Sequence, residues 1–251
     1  MSGDAVTRIA QAYADRVEVR GRDLAGDLMG RLTFTEYFHL LLTGGEPTAE
    51  QRDFLDLLLV AIAEHGLMPT NVAARMTLAA DPGSLQGAVA AGILGAGPVV
   101  LGTTEECARL LEDIRASDRG PAEVVREVRE AGGRVPGFGH PVHRPVDPRA
   151  ERILELADER GVGGEHVALA RRLRDAVAET WERPLPMNVS LAIAAVLLDL
   201  GYATAHVKAI PILARTASLL AHLAEEQESP IGFALAWAAE EAVEYVPGAA
   251  D

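Results

Sequence analysis

The sequence predicts an all-α protein, and three features of its 251 residues support this prediction. Hydrophobic residues make up 49% of the chain and aromatic residues only 4%, so we expect a core of Leu, Ala and Val, as in helical proteins. Most of the apolar segments end at Gly or Pro, which are typical helix stops. The length fits one large domain or two small ones.

The first third of the chain predicts a thin peripheral helix followed by a buried one. Residues 5–17 form a short amphipathic pattern around Tyr13 with few apolar positions. Thr48 and Gln51 match a capping box, which starts the second helix. That helix is apolar nearly all round, which predicts burial; its apolar residues are Phe54, Leu55, Leu57, Leu58, Leu59, Val60 and Ile62.

The middle and the C-terminal part of the chain predict a series of further helices. Residues 83–100 are built of small residues, so we expect a tightly packed helix, placed between subunits. Its Gly95-Ala96-Gly97 run does not match a dinucleotide site, because neither a third glycine nor a preceding strand is present. Further helices are predicted from Pro69 and at residues 104–117, 121–131, 147–160, 164–182, 187–200, 206–226 and 231–245.

Charge and cysteine content exclude several classes of function. The formal net charge of -14 argues against nucleic acid or an anionic membrane as a partner, since either needs a basic face. An anionic substrate would need a local basic patch, for which Arg134, Arg144 and Arg149 are candidates. Cys107 is the single cysteine, so no disulfide is expected within the chain. Together with the absence of a leader pattern or a long apolar run, this predicts a cytoplasmic protein.

The residues from Arg134 to Arg149 form the most informative stretch of the sequence. Two glycines and two prolines within residues 136–141 prevent a continuous helix or strand. Asp147 and Pro148 then predict the N-cap and the first position of a helix. The stretch therefore predicts a rigid loop that presents His140 near two guanidinium groups, which suits an anionic carbonyl substrate. The alternative is a stiff loop with a surface histidine.

The same stretch resembles the signature of a known family. PGFGH at residues 136–140, with DPR at 147–149, is similar to the signature of the citrate synthase superfamily, which includes citryl-CoA lyases and the lyase module of ATP-citrate lyase. The short chain resembles the citryl-CoA lyase-like members. The resemblance implies a large helical domain at residues 19–101 and 206–248 and a smaller mobile one at 102–205. It implies a homodimer or larger homo-oligomer, with residues 1–18 peripheral.

The resemblance also implies roles for several residues. His140 matches the histidine that polarises the keto oxygen, Arg149 and Arg215 match carboxylate-binding arginines, and His65 matches a substrate contact. Without the resemblance, His65 would be interpreted as a helix C-terminal residue and Arg215 as a surface charge. The coenzyme A thioester would be substrate or product, with no permanently bound cofactor. The implied coenzyme A contacts are Arg144, Pro136, Gly137, Phe138 and Gly139.

Three positions depart from the family pattern. Where the family has a catalytic histidine in Gly-Pro-Leu-His-Gly, this chain has Val100 in the corresponding segment. Where the family has its aspartate base, the chain has Ser190, a candidate catalytic position whose hydroxyl cannot act as a carboxylate base at neutral pH. Near the C-terminus, Ser229 replaces the arginine expected from a partner subunit. We expect no metal site at His140 and His143, because no third ligand is near in sequence.

Two hypotheses follow from this pattern. The first is an enzyme of the citryl-CoA lyase type, which cleaves a 3-hydroxy acyl-CoA to acetyl-CoA and a keto acid such as oxaloacetate. Cleavage would begin when His140 takes the hydroxyl proton, and the source of the proton for the enolate stays open, with Gln86, Thr70, Asn71 and Ser190 as neighbours. The second hypothesis is a non-catalytic subunit that binds an acyl-CoA or a dicarboxylate.

Overall fold

The computed structural model describes residues 5–140 and 142–246. Pro141 of the loop, residues 1–4, and residues 247–248 of the predicted large domain lie outside this range. The described residues form twelve α-helices and one small three-stranded sheet, so the predicted all-α class is confirmed. The chain divides into two compact units, one ending at Leu58 and the other beginning at Leu59. The domain boundaries implied by the resemblance stay a prediction.

The helices follow the predicted series, except that the helix predicted at residues 83–100 ends at Leu94, before the Gly95-Ala96-Gly97 run. Helices α1 to α4 span Phe34–Thr43, Ala49–Ala63, Pro69–Ala80 and Leu85–Leu94. Helices α5 to α8 span Thr103–Arg115, Pro121–Glu130, Pro148–Glu159 and Glu165–Trp181. Helices α9 to α12 span Val189–Asp199, Thr204–Val207, Ala209–Glu228 and Gly232–Glu241.

The predicted helix at residues 5–17 is wrong, because this segment forms part of an antiparallel sheet. Strands β1 (Ala10–Ala12), β2 (Val17–Val19) and β3 (Arg22–Asp23) pair in order. Arg20 and Gly21 connect the last two strands with φ angles of 52° and 77°, the geometry of a tight hairpin turn. The thin apolar pattern offers a helix little to bury, whereas the hairpin buries Val19 against Leu28 and Leu40.

Helix α2 confirms the predicted capping box and corrects the predicted burial. The Thr48 amide donates to Gln51 Oε1 at 2.9 Å, and the Gln51 amide donates to Thr48 Oγ1 at 3.2 Å. Phe54, Leu55, Leu58 and Ile62 are buried, but Val60 is 79% exposed. Burial therefore covers a broad face of this helix and not its whole circumference.

In the second unit, helix α9 is surrounded by other helices. Every residue from Val189 to Leu198 is buried, which explains why this segment is apolar on all sides. Helices α5, α7, α8 and α10 pack against it. The N-terminus of α9 is therefore held firmly, and it carries Ser190.

Helices α3, α4, α11 and α12 form a neighbouring group in the same unit. The predicted close packing of small residues is visible at Gly92, where an added Cβ would lie 2.9 Å from the Thr70 carbonyl oxygen. Phe233 and Trp237 on α12 are exposed. The predicted homodimer stays a prediction. Residues Thr204–Glu228 are long and apolar enough to cross a membrane, but 44% of the tested window is buried in the protein. A core helix of a globular protein meets the same criteria, so this is weak evidence.

Candidate active site

A pocket of about 240 Å³ in the second unit brings distant parts of the sequence together. Five predicted site residues line it: His65, His140, Arg149, Ser190 and Arg215. Gly139 also lines this pocket, but the other predicted coenzyme A contacts, Arg144, Pro136, Gly137 and Phe138, do not. The remaining lining residues are Ile62, Met68, Val99, Val100, Leu101, Thr103, Asn188 and Val189.

The loop that presents His140 is fixed by its backbone. Gly137 and Gly139 have φ angles of 84° and 86°, which side chains other than hydrogen rarely allow. The Gly139 amide donates to the Pro186 carbonyl, and the Asn188 amide donates to the Gly137 carbonyl, both at 2.9 Å. These bonds tie the loop to the segment that precedes α9, so His140 and Ser190 keep a fixed relation.

Gly137 is also closely packed, and replacing it should destabilise the protein. An added Cβ would lie 2.6 Å from Leu191 Cβ and 2.9 Å from Cys107 Sγ. We expect Gly137→Ala to lower the free energy of unfolding by about 2–5 kcal/mol, because overpacking adds to the positive-φ penalty. The matched control is Gly139→Ala, since Gly139 has a positive φ but no atom within 4 Å of the added Cβ. Urea unfolding that gives equal losses for the two variants would contradict the packing argument.

His140 is held in one tautomer. Its Nδ1 accepts hydrogen bonds from the amides of Val142, at 3.1 Å, and His143, at 2.9 Å. A neutral imidazole with both bonds at Nδ1 must carry its proton on Nε2. Burial lowers the pKa of His140, and the neighbouring His143 lowers it further. His140 is therefore a neutral Nε2–H donor, which suits polarising a keto oxygen and does not suit the predicted removal of the hydroxyl proton.

Two more imidazoles lie beside His140. His65 Nε2 and His143 Nε2 are 3.2 Å apart, within hydrogen-bond distance. The rings of His140 and His143 are stacked with centroids 4.3 Å apart, and His65 lies 5.1 Å from His140. Nothing in the sequence marks His143 as part of the site, since its partner His65 is 78 positions away.

We expected no metal site because no third ligand is near in sequence, and this reason needs correction. A third possible ligand, His65, does come within reach of His140 and His143. However, a neutral imidazole binds a metal through an unprotonated nitrogen in the ring plane. Nδ1 of His140 already accepts two amides, so in the neutral ring Nε2 carries the proton and neither nitrogen is free to bind a metal. The geometry favours hydrogen bonding over metal ligation.

His65 is positioned by its neighbour Glu64. One carboxylate oxygen of Glu64 accepts the amides of His65, at 2.8 Å, and Gly66, at 2.5 Å. The other accepts from Ser218 Oγ at 2.5 Å and lies 3.1 Å from His222 Nε2. Burial alone would raise the pKa of Glu64, but these hydrogen bonds outweigh it and lower the pKa to about 2. Glu64 is therefore charged near neutral pH and ties the turn at His65 to α11.

Arg215 is a buried cation with unused hydrogen-bonding capacity. Its exposed fraction is 3%, and its Nη1 donates to Asn71 Oδ1 at 2.8 Å. Its Nε is buried without a hydrogen-bond partner among the described residues. Burial lowers the pKa of Arg215, yet a guanidinium stays charged in proteins. This arrangement suits an anionic ligand in the pocket.

Arg149 is less available than the sequence predicts. Its Nε and Nη2 donate to the two carboxylate oxygens of Asp147 at 3.1 and 2.9 Å. Asp147 is fully buried and also accepts the Val189 amide at 3.1 Å. Arg149, predicted to bind a substrate carboxylate, therefore makes its forked pair of hydrogen bonds to Asp147. Arg149 contributes its positive charge and its remaining Nη1 to the pocket.

Two of the three substituted positions, Ser190 and Val100, line this pocket. Ser190 is 8% exposed at the start of α9, where the Asn188 side chain accepts its amide at 3.1 Å. Val99 and Val100 line the same pocket and carry no titratable group. The pocket thus combines donors and positive charges with an apolar wall.

A second pocket of about 250 Å³ adjoins the other side of the loop. Predicted coenzyme A residues Phe138 and Gly139 line it together with Arg134. Trp181 and Arg183 also line it, and these two residues were not predicted. The sequence does mark this segment. Arg183 stands directly before a proline and follows Trp181 at the end of a helix. The predicted phosphate contact Arg144 is exposed and lines neither of these two pockets.

Comparison with known proteins agrees with the predicted resemblance. The family model described as "Citrate synthase, C-terminal domain" matches residues 5–232. The chain is 33% identical to a protein named putative citrate synthase 2 from Mycobacterium tuberculosis over 191 residues, which are 73% of this chain and 50% of the relative. The chain thus spans about half the length of the citrate synthases it matches.

Solved structures show the same fold. The structure of citryl-CoA lyase from Hydrogenobacter thermophilus matches with a TM-score of 0.89 and 30% identity, and covers 99% of this chain and 97% of that one. ATP citrate lyase from Methanothrix soehngenii, solved with citrate and coenzyme A, matches 99% of this chain and 43% of its own, with a TM-score of 0.80 and 17% identity. On the family match and the matched fold, the chain belongs to the citrate synthase family.

Proposed function

We propose that this protein cleaves a 3-hydroxy acyl-CoA of the citryl-CoA type into acetyl-CoA and a keto acid such as oxaloacetate. The similarity to citryl-CoA lyase along nearly the whole of both chains supports this direction of the family chemistry. The pocket supports it independently, because it offers positive charge for carboxylates and a donor for a carbonyl oxygen. We expect the size and the charge of the pocket to determine which acyl groups the protein accepts.

The observation that carries the proposal is the environment of Arg215. Arg215 is 3% exposed and its buried Nε lacks a hydrogen-bond partner among the described residues, so the charge of Glu64, which raises the pKa of Arg215, still leaves this nitrogen unsatisfied. Nη1 of Arg215 already donates to Asn71, so a ligand would bind to the other nitrogens of the guanidinium. A substrate carboxylate in the pocket would complete these hydrogen bonds, with Arg149 adding positive charge.

His140 supplies the electrophilic part of the reaction. As the C–C bond breaks, the hydroxyl oxygen of the substrate becomes the carbonyl oxygen of the keto acid. A neutral Nε2–H donor can stabilise negative charge on this oxygen in the transition state without giving up its proton. The two backbone amides at Nδ1 keep the donor nitrogen directed away from the loop.

We place the coenzyme A part of the substrate against the other face of the loop. The 250 Å³ pocket provides Trp181 as an aromatic surface and Arg134 and Arg183 as phosphate partners. Gly139 lines both pockets, so a thioester chain that passes this residue would reach the His140 side.

Coenzyme A binding should depend on this basic surface. We expect Arg183→Ala to weaken coenzyme A binding about 10- to 100-fold, since a charged hydrogen bond to a phosphate contributes about 1.5–3 kcal/mol. Arg144→Ala tests the contact predicted by resemblance in the same calorimetric titration. Arg109→Ala is a suitable control, because Arg109 is exposed on α5 and pairs with Glu105. Unchanged affinity in either test variant would remove that arginine from the proposed site.

A turnover assay tests the proposed function directly. The wild-type protein should release acetyl-CoA and oxaloacetate from citryl-CoA, with weak condensation of the same two products. Failure to bind coenzyme A in calorimetry would contradict the proposal at its first step.

A second function is favoured by one specific observation. Ser190 and Val100 replace the two proton-transfer groups of the family pattern, while the pocket keeps its arginines. A subunit that binds an acyl-CoA or dicarboxylate without turnover would show this pattern. Tight coenzyme A binding with no cleavage of any 3-hydroxy acyl-CoA would favour this second function.

A further inference from the structure

Cleavage of a 3-hydroxy acyl-CoA needs a group that accepts a proton near neutral pH. Most of the described residues that line the pocket are unsuitable: they are apolar, carry an amide or a hydroxyl group, or are permanently charged arginines. His140 is held as a donor by the two amides at its Nδ1. Among these lining residues, His65 remains as the titratable group that can accept a proton.

His65 does not act alone, because its ring is joined to that of His143. The two Nε2 atoms are 3.2 Å apart, so in the neutral pair one nitrogen carries a proton and the other accepts it. The rings meet edge to face, with centroids 5.3 Å apart and an angle of 76°. This geometry allows the shared proton to move from one ring to the other.

His143 is held in place by the loop that positions His140. Its backbone amide donates to His140 Nδ1 at 2.9 Å, and its ring stacks on the His140 ring at 4.3 Å. One residue therefore fixes the tautomer of the oxyanion donor and contacts the pocket histidine through its side chain. A change confined to the side chain separates these two roles.

The charges around His65 explain why a second imidazole is useful. Burial lowers the pKa of His65, and the charge of Arg149 lowers it further, with a smaller contribution from His143, while Asp147 raises it. The carboxylate of Asp147 is itself bound by Arg149. A proton held by His65 alone would thus be close to an arginine in a partly buried site. Sharing it with the partly exposed His143 spreads the positive charge over two rings.

We propose that His65 and His143 form an imidazole pair that performs the proton transfers of cleavage in place of the aspartate absent at position 190. This inference rests on the proposed function. His65 is the member of the pair that faces the substrate, and His143 acts through His65. The pair takes over a step for which the family pattern uses a different residue type.

The proton balance of the step is closed. The O–H bond of the substrate hydroxyl breaks and an N–H bond forms on the pair, which becomes singly positive. The bond between the carbinol carbon and the carbon next to the thioester then breaks, and its electrons form the thioester enolate. The pair returns one proton to that carbon, which becomes the methyl group of acetyl-CoA. The hydroxyl oxygen and this carbon are both attached to the same atom, so one group can reach both.

The test on turnover uses His143→Gln, which removes the titrating ring and keeps the backbone amide. We expect kcat for citryl-CoA to fall about 100-fold, with the affinity for coenzyme A unchanged. The acid limb of the pH profile should move to higher pH, because the pKa of His65 rises when His143 no longer lowers it, and added imidazole should restore part of the rate in His143→Ala. His206→Gln on α10 is the matched control, because His206 lies outside the lining of the pocket. A wild-type kcat and pH profile in His143→Gln would overturn the proposal.

A second measurement is independent of turnover and separates failure of the pair from failure of the proposed function. Nitrogen NMR of the histidine rings in the wild-type protein should show a coupling between Nε2 of His65 and Nε2 of His143 through their shared hydrogen bond. In His143→Gln, the midpoint of His65 should rise, because the charge that His143 adds is lost. The absence of this coupling would overturn the pair even if citryl-CoA is cleaved. The coupling without any cleavage would contradict the proposed function and the catalytic use of the pair, while leaving its geometry intact.

Discussion

Replacing His140 with alanine should lower kcat for cleavage of citryl-CoA by about 10²–10³-fold, the usual loss when one oxyanion donor is removed. The reason is the fixed tautomer: Nδ1 accepts the amides of Val142 and His143, so Nε2 carries the proton that we propose is donated to the substrate oxygen. Steady-state kinetics with citryl-CoA would measure the loss. Coenzyme A affinity, followed by calorimetry, should stay within about twofold, because this donor acts on the transition state.

The matched variant for this prediction is His140→Gln, whose side-chain amide retains an N–H donor but cannot titrate. We expect it to keep more activity than His140→Ala. Equal losses in the two variants would show that the ring matters for a reason other than hydrogen-bond donation. A His140→Ala variant with the wild-type kcat would remove His140 from the mechanism.

The pH dependence of His140 follows from the same contacts. Burial and the nearby His143 lower the pKa of His140, so the ring stays neutral below the ordinary value of about 6.5. Protonation at Nδ1 would break both amide hydrogen bonds, and the rate should therefore fall only at more acidic pH. The unfolded chain takes up this proton more readily than the folded one, so the contribution of His140 to stability is present above about pH 6.5 and is lost as the pH falls.

The parts of the site that were predictable from sequence depend on local patterns. The DPR sequence at residues 147–149 predicts a helix start, and Asp147 does accept the Arg149 amide at the N-terminus of α7. Glycines at 137 and 139 predict a special backbone, and both have positive φ angles. The association of these patterns with His65 and Arg215 came from the family resemblance, since both residues lie tens of positions from the loop.

The parts that were not predictable depend on contacts across the fold. The sequence predicts Asp147 as a helix cap and Arg149 as a free cation. Their pairing in the structure changes what Arg149 can bind. His143 resembles a surface residue in the loop until His65 is brought to 3.2 Å from it. The N-terminal hairpin is not predictable from sequence, because the few apolar residues of this segment satisfy the helical and the strand periodicity equally.

Replacing Ser190 with aspartate should raise the rate of acetyl-CoA condensation with oxaloacetate over the wild type, by less than the roughly 10²–10⁴-fold that a general base contributes where no other base is present, because the imidazole pair already transfers protons. Ser190 lines the pocket with His140 and Arg215, and it lies at the N-terminus of α9. The helix terminus and the nearby arginines favour the charged carboxylate. Both directions share one transition state, so cleavage of citryl-CoA should also become faster.

The control is Ser190→Asn, which matches aspartate in size but has no basic group, and the formation of citryl-CoA from acetyl-CoA and oxaloacetate is measured for both variants. An equal gain in the two variants would assign the effect to packing, and robust citrate synthesis by the wild type would refute the interpretation of Ser190. His143→Gln in the Ser190→Asp protein tests whether the aspartate and the imidazole pair serve the same step. If aspartate takes over proton transfer from the His65 and His143 pair, removing the His143 ring should cost much less in this background than in the wild type. A loss of the same size in both backgrounds would mean that the two groups serve different steps.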